Sequence, residues 1–156
     1  MRMLIIMRQS NRPVGEASSI VLENQGHVPL NTPETAQFRQ GAEIGELRIQ
    51  TCRDCANSYF PPRPFCPDCG SRNVASVAAS GRATLYSYII SHLPAPGFEP
   101  PFAIAVVTLE EGPRMMTNIV GCDQTSDALQ LDMDLEVTFR RRGGVMMPCF
   151  QPVGVP

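Results

Sequence analysis

The sequence contains no lysine and no tryptophan, and it has only two histidines, His27 and His92. All thirteen basic residues are therefore arginines. Without lysine the chain cannot form a Schiff base or place a lysine on a phosphate group, which excludes both of these mechanisms. Two histidines also leave few ways to pair a cysteine nucleophile with an imidazole base.

Long apolar runs are absent as well. The stretch Leu4–Met7 is typical of the longest ones, whereas a membrane helix needs about 20 apolar residues. The same stretch is too short for the apolar region of a secretion signal. We therefore expect a cytoplasmic protein that does not enter a membrane. A net charge of −2 argues further against a general binder of nucleic acids or other polyanions.

The cysteines carry the clearest motif. Four of the six form two Cys-x-x-Cys pairs, Cys52 with Cys55 and Cys66 with Cys69, and ten residues separate the pairs. Two residues between ligands let a tight turn direct both thiolates at one ion, and two such turns complete a tetrahedral shell that suits Zn²⁺. Four thiolates leave no open coordination position, so we predict a structural zinc ion.

Three other interpretations of these cysteines stay open but are weaker. Sulfur ligands alone do not separate zinc from the iron of a rubredoxin-like centre. Disulfides are rare in cytoplasmic proteins, and no βαβ pattern surrounds either pair, as a thioredoxin-like redox motif requires. The other two thiols, Cys122 and Cys149, have no histidine beside them in the sequence. We therefore assign no catalytic residue.

Composition divides the chain into three parts. Residues 1–31 mix polar residues without a sustained period, which predicts a mobile arm. Residues 32–73 begin with Thr32 and Pro33, which suit the start of a helix that runs to Glu43, and continue through both cysteine pairs as a zinc ribbon. Residues 74–156 have the pattern of strands throughout.

This last part predicts a small β-barrel. β-branched and aromatic residues concentrate in segments that glycine and proline turns separate. The segments are 83–91, 102–109, 114–120, 135–141 and 145–150, and residues 125–131 suit a short helix. Such a set is typical of an OB fold. The predicted fold class is therefore mainly β, with an N-terminal helix and a rubredoxin-like zinc ribbon followed by an OB-fold barrel.

The ordered set of motifs resembles a known family, the zinc-ribbon OB-fold proteins associated with acyl-CoA metabolism. The matching strings are CRDCANSYFPPRPFCPDCGS, GRATLYSYIISH, PPFAIAVVTLEEGPRMMTNIVGC and LEVTFRRR. The resemblance covers about residues 32–152. The family usually has glycine where this chain has Ala56 and Asp132, and a second aromatic residue near Phe38.

The resemblance implies a non-catalytic accessory subunit. Its partner would be a thiolase-like protein in a hetero-oligomer, an acyltransferase, thiolase or aldolase that itself supplies the catalytic residues. The accessory subunit would lie at the partner's active-site entrance, support assembly and help to bind acyl-CoA. Coenzyme A, shared with the partner, would then be a second cofactor beside zinc.

Candidate contacts fall into a basic and an aromatic group. The three consecutive arginines are either a solvated strand end or a contact for a CoA phosphate or a partner. A ribbon is too small to bury all its aromatic rings, so these either pack on the barrel or contact a partner. The candidates are Arg140, Arg141 and Arg142 for the phosphate, and Phe38, Phe60, Phe65 and Phe98 for the partner.

Two other functions fit the same architecture less well. A zinc ribbon with an OB barrel can also bind single-stranded nucleic acid, but that needs a basic groove with stacking aromatic rings. Here the chain has three tyrosines, no tryptophan and an acidic balance. An independent enzyme, such as a thioesterase or hydratase, would need a nucleophile or base that the sequence does not offer.

Overall fold

The structure, a computed structural model that describes residues 30–154, has one short helix and eight strands within that range. The predicted mobile arm, residues 1–31, lies almost entirely outside the described residues, as does His27. The mainly β fold class with a zinc ribbon and an OB-like barrel is confirmed. The elements are α1 (Ala36–Glu43), β1 (Arg48–Cys52), β2 (Ser58–Tyr59), β3 (Val74–Ala78), β4 (Arg82–Ser91), β5 (Phe102–Leu109), β6 (Arg114–Ile119), β7 (Asp134–Arg142) and β8 (Val145–Pro152).

Helix α1 begins about one turn after the predicted start. Thr35 is its N-cap residue, and the Thr35 N–H donates to the Thr32 carbonyl at 3.1 Å, so Thr32 starts a turn that precedes the helix. Gly41 is needed near its end, because a Cβ there would lie 2.6 Å from the carbonyl oxygen of Glu46. This close approach lets α1 pack against β1 as well as β8. None of the described residues forms a helix long and apolar enough to cross a membrane.

A three-stranded antiparallel sheet in the order β2-β1-β3 carries the ribbon. Strand β1 pairs with β3 along its whole length, from Arg48 opposite Ala78 to Cys52 opposite Val74. The barrel strands begin at β4, close to the first predicted barrel segment, and Val74–Ala78 belongs to the sheet of the ribbon. The segment VASVA has an ordinary strand pattern, and only its long-range pairing with β1 decides which sheet it joins.

Strands β4 to β8 close into a barrel in the order β4-β5-β6-β8-β7, and β7 pairs back to β4. The closure between β6 and β8 is parallel, through Ile119 opposite Phe150. Every predicted barrel segment forms a strand within two residues of its predicted ends. The predicted helix at residues 125–131 does not form. A single turn occurs there, in which the Leu129 N–H donates to the Thr125 carbonyl at 3.1 Å and the Leu129 side chain is buried.

Two separate apolar clusters lie inside the described residues. The main cluster fills the barrel and also includes Leu47 and Ile49, which lie on or beside strand β1 of the ribbon. The second cluster consists of Cys52, Tyr59 and Cys66, with Val74 packed against it. Strand β1 thus contributes to both clusters, and this joins the ribbon to the barrel.

Two residues other than glycine have a positive φ among the described residues. They are Ala56, at 60°, and Asp132, at 62°. A Cβ makes this left-handed conformation unfavourable, by roughly 1–2 kcal/mol for most residues. At both positions the sequence departs from the glycine that is usual in the family it resembles, and the backbone keeps a conformation that glycine adopts more easily.

Candidate functional site

The two cysteine pairs lie on two turns of the same shape. In the first turn the Cys52 N–H donates to the Asn57 carbonyl at 2.9 Å, and in the second the Cys66 N–H donates to the Ser71 carbonyl at 2.8 Å. Each turn contains one left-handed residue at the equivalent place, four residues after the first cysteine. It is Ala56 in the first turn and Gly70, with a φ of 73°, in the second.

These turns bring the four sulfurs together. The distance from Cys52 Sγ to Cys69 Sγ is 3.6 Å, and that from Cys55 Sγ to Cys66 Sγ is also 3.6 Å. All four sulfurs lie within 4.8 Å of one another. A disulfide would need about 2.05 Å, whereas sulfurs about 2.3 Å from a tetrahedral zinc ion lie about 3.8 Å apart. The four-cysteine cluster therefore fits a metal ion and not a pair of disulfides.

Backbone amides and neighbouring sulfurs control the protonation of this cluster. The backbone N–H of Cys69, followed by that of Asp68, lowers the pKa of Cys66 to about 7, although burial opposes this. The pKa of Cys55 rises to about 12, since burial and the other three sulfurs outweigh the hydrogen bond from the backbone of Asn57. Cys55 and Cys66 therefore differ in how readily they lose a proton, and a bound cation stabilises the thiolate form of its ligands.

Polar contacts fasten the two turns to each other. The Asp54 carboxylate accepts hydrogen bonds from the Ser71 hydroxyl and from the Asn73 side-chain amide, the latter at 2.7 Å. These two contacts, the Ser71 contact first, lower the pKa of Asp54. Tyr59 is buried beside the cysteines, and its hydroxyl donates to the Arg63 carbonyl at 3.4 Å. The ribbon is therefore a small apolar cluster held in place by polar side chains.

The four aromatic candidates lie in three different environments. Phe38 and Phe60 pack against each other, with ring centroids 5.3 Å apart, and against the main core. Phe65 is 44% exposed on the segment between the cysteine pairs. Phe98 is half-buried and stacks on Phe102, with ring centroids 4.6 Å apart. The structure thus leaves Phe65 as the most accessible of the four and does not bring them together as one patch.

The three arginines also have different neighbours. Arg141 forms an ion pair with Glu43 at 2.8 Å, which joins the β7–β8 hairpin to helix α1. Arg142 donates to the Asn118 side-chain oxygen at 3.1 Å, and its guanidinium lies 3.9 Å from the centre of the Phe98 ring. Arg140 is exposed, and its side chain forms no hydrogen bond or ion pair with the described residues. The basic run therefore contains one arginine whose side chain has no partner among the described residues and two whose side chains have structural partners.

The two thiols outside the cluster lie in environments that suppress nucleophilic reactivity. Burial raises the pKa of Cys122, with Asp123 as a smaller cause, and burial also raises the pKa of Cys149. A nucleophilic cysteine needs a lowered pKa. The cavity where β4 meets β7 is lined by charged, polar and apolar residues, among them Arg82, Glu110 and Leu135, and neither a thiol nor an imidazole lines it.

Sequence reasoning missed one group of accessible residues. Ile89 and Met116 are 63% and 71% exposed on the outside of the barrel. The sequence predicts both to lie in barrel strands, 83–91 and 114–120, but does not indicate which of their residues face outward. The side that Ile89 faces depends on an irregularity in β4, for which the sequence gives no distinct signal. Met116 follows the regular alternation of β6.

Comparisons with protein families match both parts of the chain. The model for the ChsH2 rubredoxin-like zinc ribbon domain matches residues 39–75, and the model for the ChsH2 C-terminal OB-fold domain matches residues 76–140. A chain of the solved Ltp2-ChsH2(DUF35) aldolase superposes with a TM-score of 0.72 at 35% identity. That match covers 80% of this chain and 98% of the other.

Two further relatives are proteins of known sequence. A DUF35 domain-containing scaffold protein of Methanothermobacter thermautotrophicus is 33% identical, over 72% of this chain and 85% of its own length. A probable enoyl-CoA hydratase alpha subunit of Thermomonospora curvata is 35% identical over 80% of this chain. The chain spans only 39% of the length of that hydratase subunit.

Proposed function

The chain belongs to the ChsH2/DUF35 family of zinc-ribbon OB-fold proteins, and on that premise we propose that it is the non-catalytic, zinc-stabilised scaffold subunit of a cytoplasmic acyl-CoA enzyme complex. Its partner in this proposal is a thiolase-like subunit, an acyltransferase, thiolase or aldolase. The partner supplies the nucleophile and the base, and this chain supports assembly and the binding of acyl-CoA at the entrance to the partner's active site.

The observation that carries this proposal is the match to a subunit of a two-protein aldolase over 98% of that subunit's length. The chemistry of the described residues supports it. Four thiolates complete the coordination of a zinc ion and leave no position for substrate. The two remaining thiols have raised pKa values. These features fit a subunit that provides a binding surface better than a subunit that provides catalytic groups.

A contact with coenzyme A is the finer part of the proposal. Among the three arginines, Arg140 is the one whose guanidinium is accessible and has no partner among the described residues. We assign to it the contact with a CoA phosphate, because a guanidinium binds phosphate oxygens through paired hydrogen bonds. Arg140→Gln should raise the KM for acyl-CoA in the complex and leave kcat and complex formation unchanged. Equal effects on KM of Arg140→Gln and Arg39→Gln, a substitution on helix α1, would contradict the assignment.

Co-expression tests the proposal as a whole. The chain is tagged and co-expressed with each thiolase-like protein encoded in the same genome, and co-purification is followed by assays of thiolysis and retro-aldol cleavage of acyl-CoA. We expect one such protein to co-purify in stoichiometric amount and to lose most of its activity without this chain. Failure of all of them to co-purify, or turnover by this chain alone, would refute the scaffold function.

A further inference from the structure

The four cysteine ligands differ in their exposure to solvent. Cys52 and Cys66, the first of each pair, are 1% and 0% exposed and belong to the apolar cluster of the ribbon. Cys55 and Cys69, the second of each pair, are exposed. Water and a competing chelator therefore reach the cluster from the side of Cys55 and Cys69. We call this the exposed side of the zinc site.

Few contacts hold the two cysteine turns against each other. The backbone hydrogen bonds that shape the turns, described above, each lie within one turn. Between the turns, the Arg53 N–H donates to the Asn73 carbonyl at 2.9 Å and extends the pairing of β1 with β3. The Asp54 carboxylate adds the two hydrogen bonds from the side chains of Ser71 and Asn73. Apart from the four sulfurs, these are the side-chain contacts between the turns that the described residues provide.

This carboxylate bridge lies beside the exposed ligands. Asp54 immediately precedes Cys55 in the chain, and Ser71 follows Cys69 after a single glycine. When an exposed thiolate leaves the metal, the bridge keeps its turn in place, so the sulfur stays close enough to bind again. Residues that orient metal ligands in this way typically change metal affinity by about 10–100-fold.

The second turn contains a natural control for the bridge. Asp68 immediately precedes Cys69, just as Asp54 precedes Cys55. Both aspartates are exposed, but the side chain of Asp68 forms no hydrogen bond or ion pair with the described residues. Each places a carboxylate next to an exposed ligand, so the two residues differ in the bridge and not in the charge that they bring to the site.

We propose that Asp54 is a positioning residue of the zinc site, which holds the two turns together on the exposed side and thereby slows the release of zinc. The inference concerns how the chain retains its metal and does not depend on a partner subunit. Asp54 itself is not a ligand in this proposal, since the four sulfurs complete the coordination of zinc.

The test measures the rate of zinc release from the full, zinc-loaded chain into an excess of a chromogenic chelator. Asp54→Ala should release zinc at least about 10-fold faster than the unmodified chain, whereas Asp68→Ala should stay within about twofold of it. Asp54→Asn should give an intermediate rate, because its amide oxygen can still accept from Asn73 and its amide nitrogen can donate to the Ser71 hydroxyl. Amide exchange in β4 to β8 should be the same in all variants, so that faster release reports on the turns and not on unfolding of the barrel.

A second variant tests the bridge from its other end. Asn73→Ala removes one of the two hydrogen bonds and should accelerate release by itself. Because the two residues act through one contact, the double variant should release zinc within about twofold of the rate of Asp54→Ala. If Asp54→Ala cannot be loaded with zinc, Asn73→Ala decides, and faster release from it supports the bridge.

Four results would overturn the inference. The first is release from Asp54→Ala at the rate of the unmodified chain. The second is equal acceleration by Asp68→Ala, which would assign the effect to charge. The third is an unchanged rate in Asn73→Ala, or effects of the two substitutions that multiply fully. The fourth is an unmodified chain without zinc, in which case the metal assignment fails as well. Failure to co-purify with a thiolase-like subunit would refute the scaffold function and leave this inference standing.

Discussion

The ribbon and the barrel are folded by different means. The barrel has a contiguous apolar core that closes around residues such as Leu85, Val107 and Phe150, all fully buried. The apolar cluster of the ribbon has only Cys52, Tyr59 and Cys66 as buried members. Its turns depend instead on the sulfurs and on hydrogen bonds to Asp54. Too few apolar groups are buried there to offset the cost of ordering the chain, and a metal ion supplies the difference.

The boundary between the apolar core of the barrel and the metal-dependent cluster of the ribbon lies within strand β1. Ile49 belongs to the main core, whereas Cys52, three residues on, belongs to the sulfur cluster. The N-terminal half of β1, which includes Ile49, should therefore keep its structure when the metal is lost, because it packs in the barrel core. The C-terminal half, which ends at Cys52, should lose its structure. Substitutions at the metal site and in the barrel core should therefore have different effects on the stability of the ribbon and of the barrel.

The largest effect should come from removal of the metal. Cys66→Ser takes away one of the two buried ligands and should release zinc, and zinc ligation in small domains is worth of order 10 kcal/mol. Amide hydrogen exchange should then become fast for Cys52, Tyr59 and the residues between the cysteine pairs, while β4 to β8 remain protected. Elemental analysis of the purified protein should give one zinc ion per unmodified chain and none in the variant.

Two results would contradict this account of the ribbon. One is an absence of stoichiometric metal in carefully prepared protein. The other is loss of protection in the barrel strands together with the ribbon, which would mean that the two regions unfold as one. Cys122→Ser is the matched control, because it removes a partly buried thiol outside the cluster and should leave the zinc content unchanged.

A core substitution should have the reverse pattern. Phe150 is fully buried and lies where β6 meets β8, so Phe150→Ala should lower the free energy of unfolding by about 3–5 kcal/mol. Zinc should stay bound, since the four sulfurs do not depend on this side chain. Denaturant unfolding followed by far-UV circular dichroism measures the loss. Ile44→Ala, at an exposed side chain, should change the stability by less than about 0.5 kcal/mol. Release of zinc by Phe150→Ala would show that the ribbon depends on the barrel core.

A smaller effect should appear within the ribbon, where the two turns provide their own control. Ala56 is exposed and left-handed, so Ala56→Gly removes a backbone penalty without removing a packed side chain. It should stabilise the protein by about 0.5–1 kcal/mol, after the greater freedom of glycine in the unfolded chain is subtracted. Gly70→Ala, at the equivalent place with open space around it, should destabilise by a similar amount. Changes of the same sign in the two variants, measured as free energies of unfolding, would rule out this explanation.

How far the sequence predicts the structure differs between the same two regions. The metal cluster was predictable because ligands three residues apart are brought together by a local turn. The left-handed backbone of Ala56 and Asp132 was not predicted, because neither residue type requires that conformation. The partner of β3 was not predictable, because it depends on a pairing between distant strands. Ile89 was missed because a one-residue shift in β4 exchanges the inner and outer faces, and ATLYSYIIS suits either register. The sequence does not distinguish the three consecutive arginines, yet Arg141 contacts Glu43 and Arg142 contacts Asn118.

The smallest effect concerns helix α1, which contacts both regions. Hydrogen bonds from Arg141 and, secondarily, from the Met146 N–H hold the pKa of Glu43 below its ordinary value of 4.5. Because the folded pKa lies below the unfolded one, this carboxylate stabilises the fold fully above the unfolded pKa. The stabilisation is lost as the pH falls through the folded pKa. Both side chains are about half exposed, at 55% and 45%, so water and salt weaken the pair.

A double-mutant cycle with Glu43→Gln and Arg141→Gln isolates the contribution of this pair. The coupling free energy should favour the folded state at pH 7, decrease when salt is added, and vanish in acid once Glu43 is protonated. Glu43→Gln should also speed amide exchange in α1 while leaving the zinc content and the barrel strands unchanged, because α1 packs on both regions without belonging to either core. A coupling that persists in acid would mean that Glu43 and Arg141 interact without the charge on the carboxylate, and would contradict the interpretation of this contact as an ion pair.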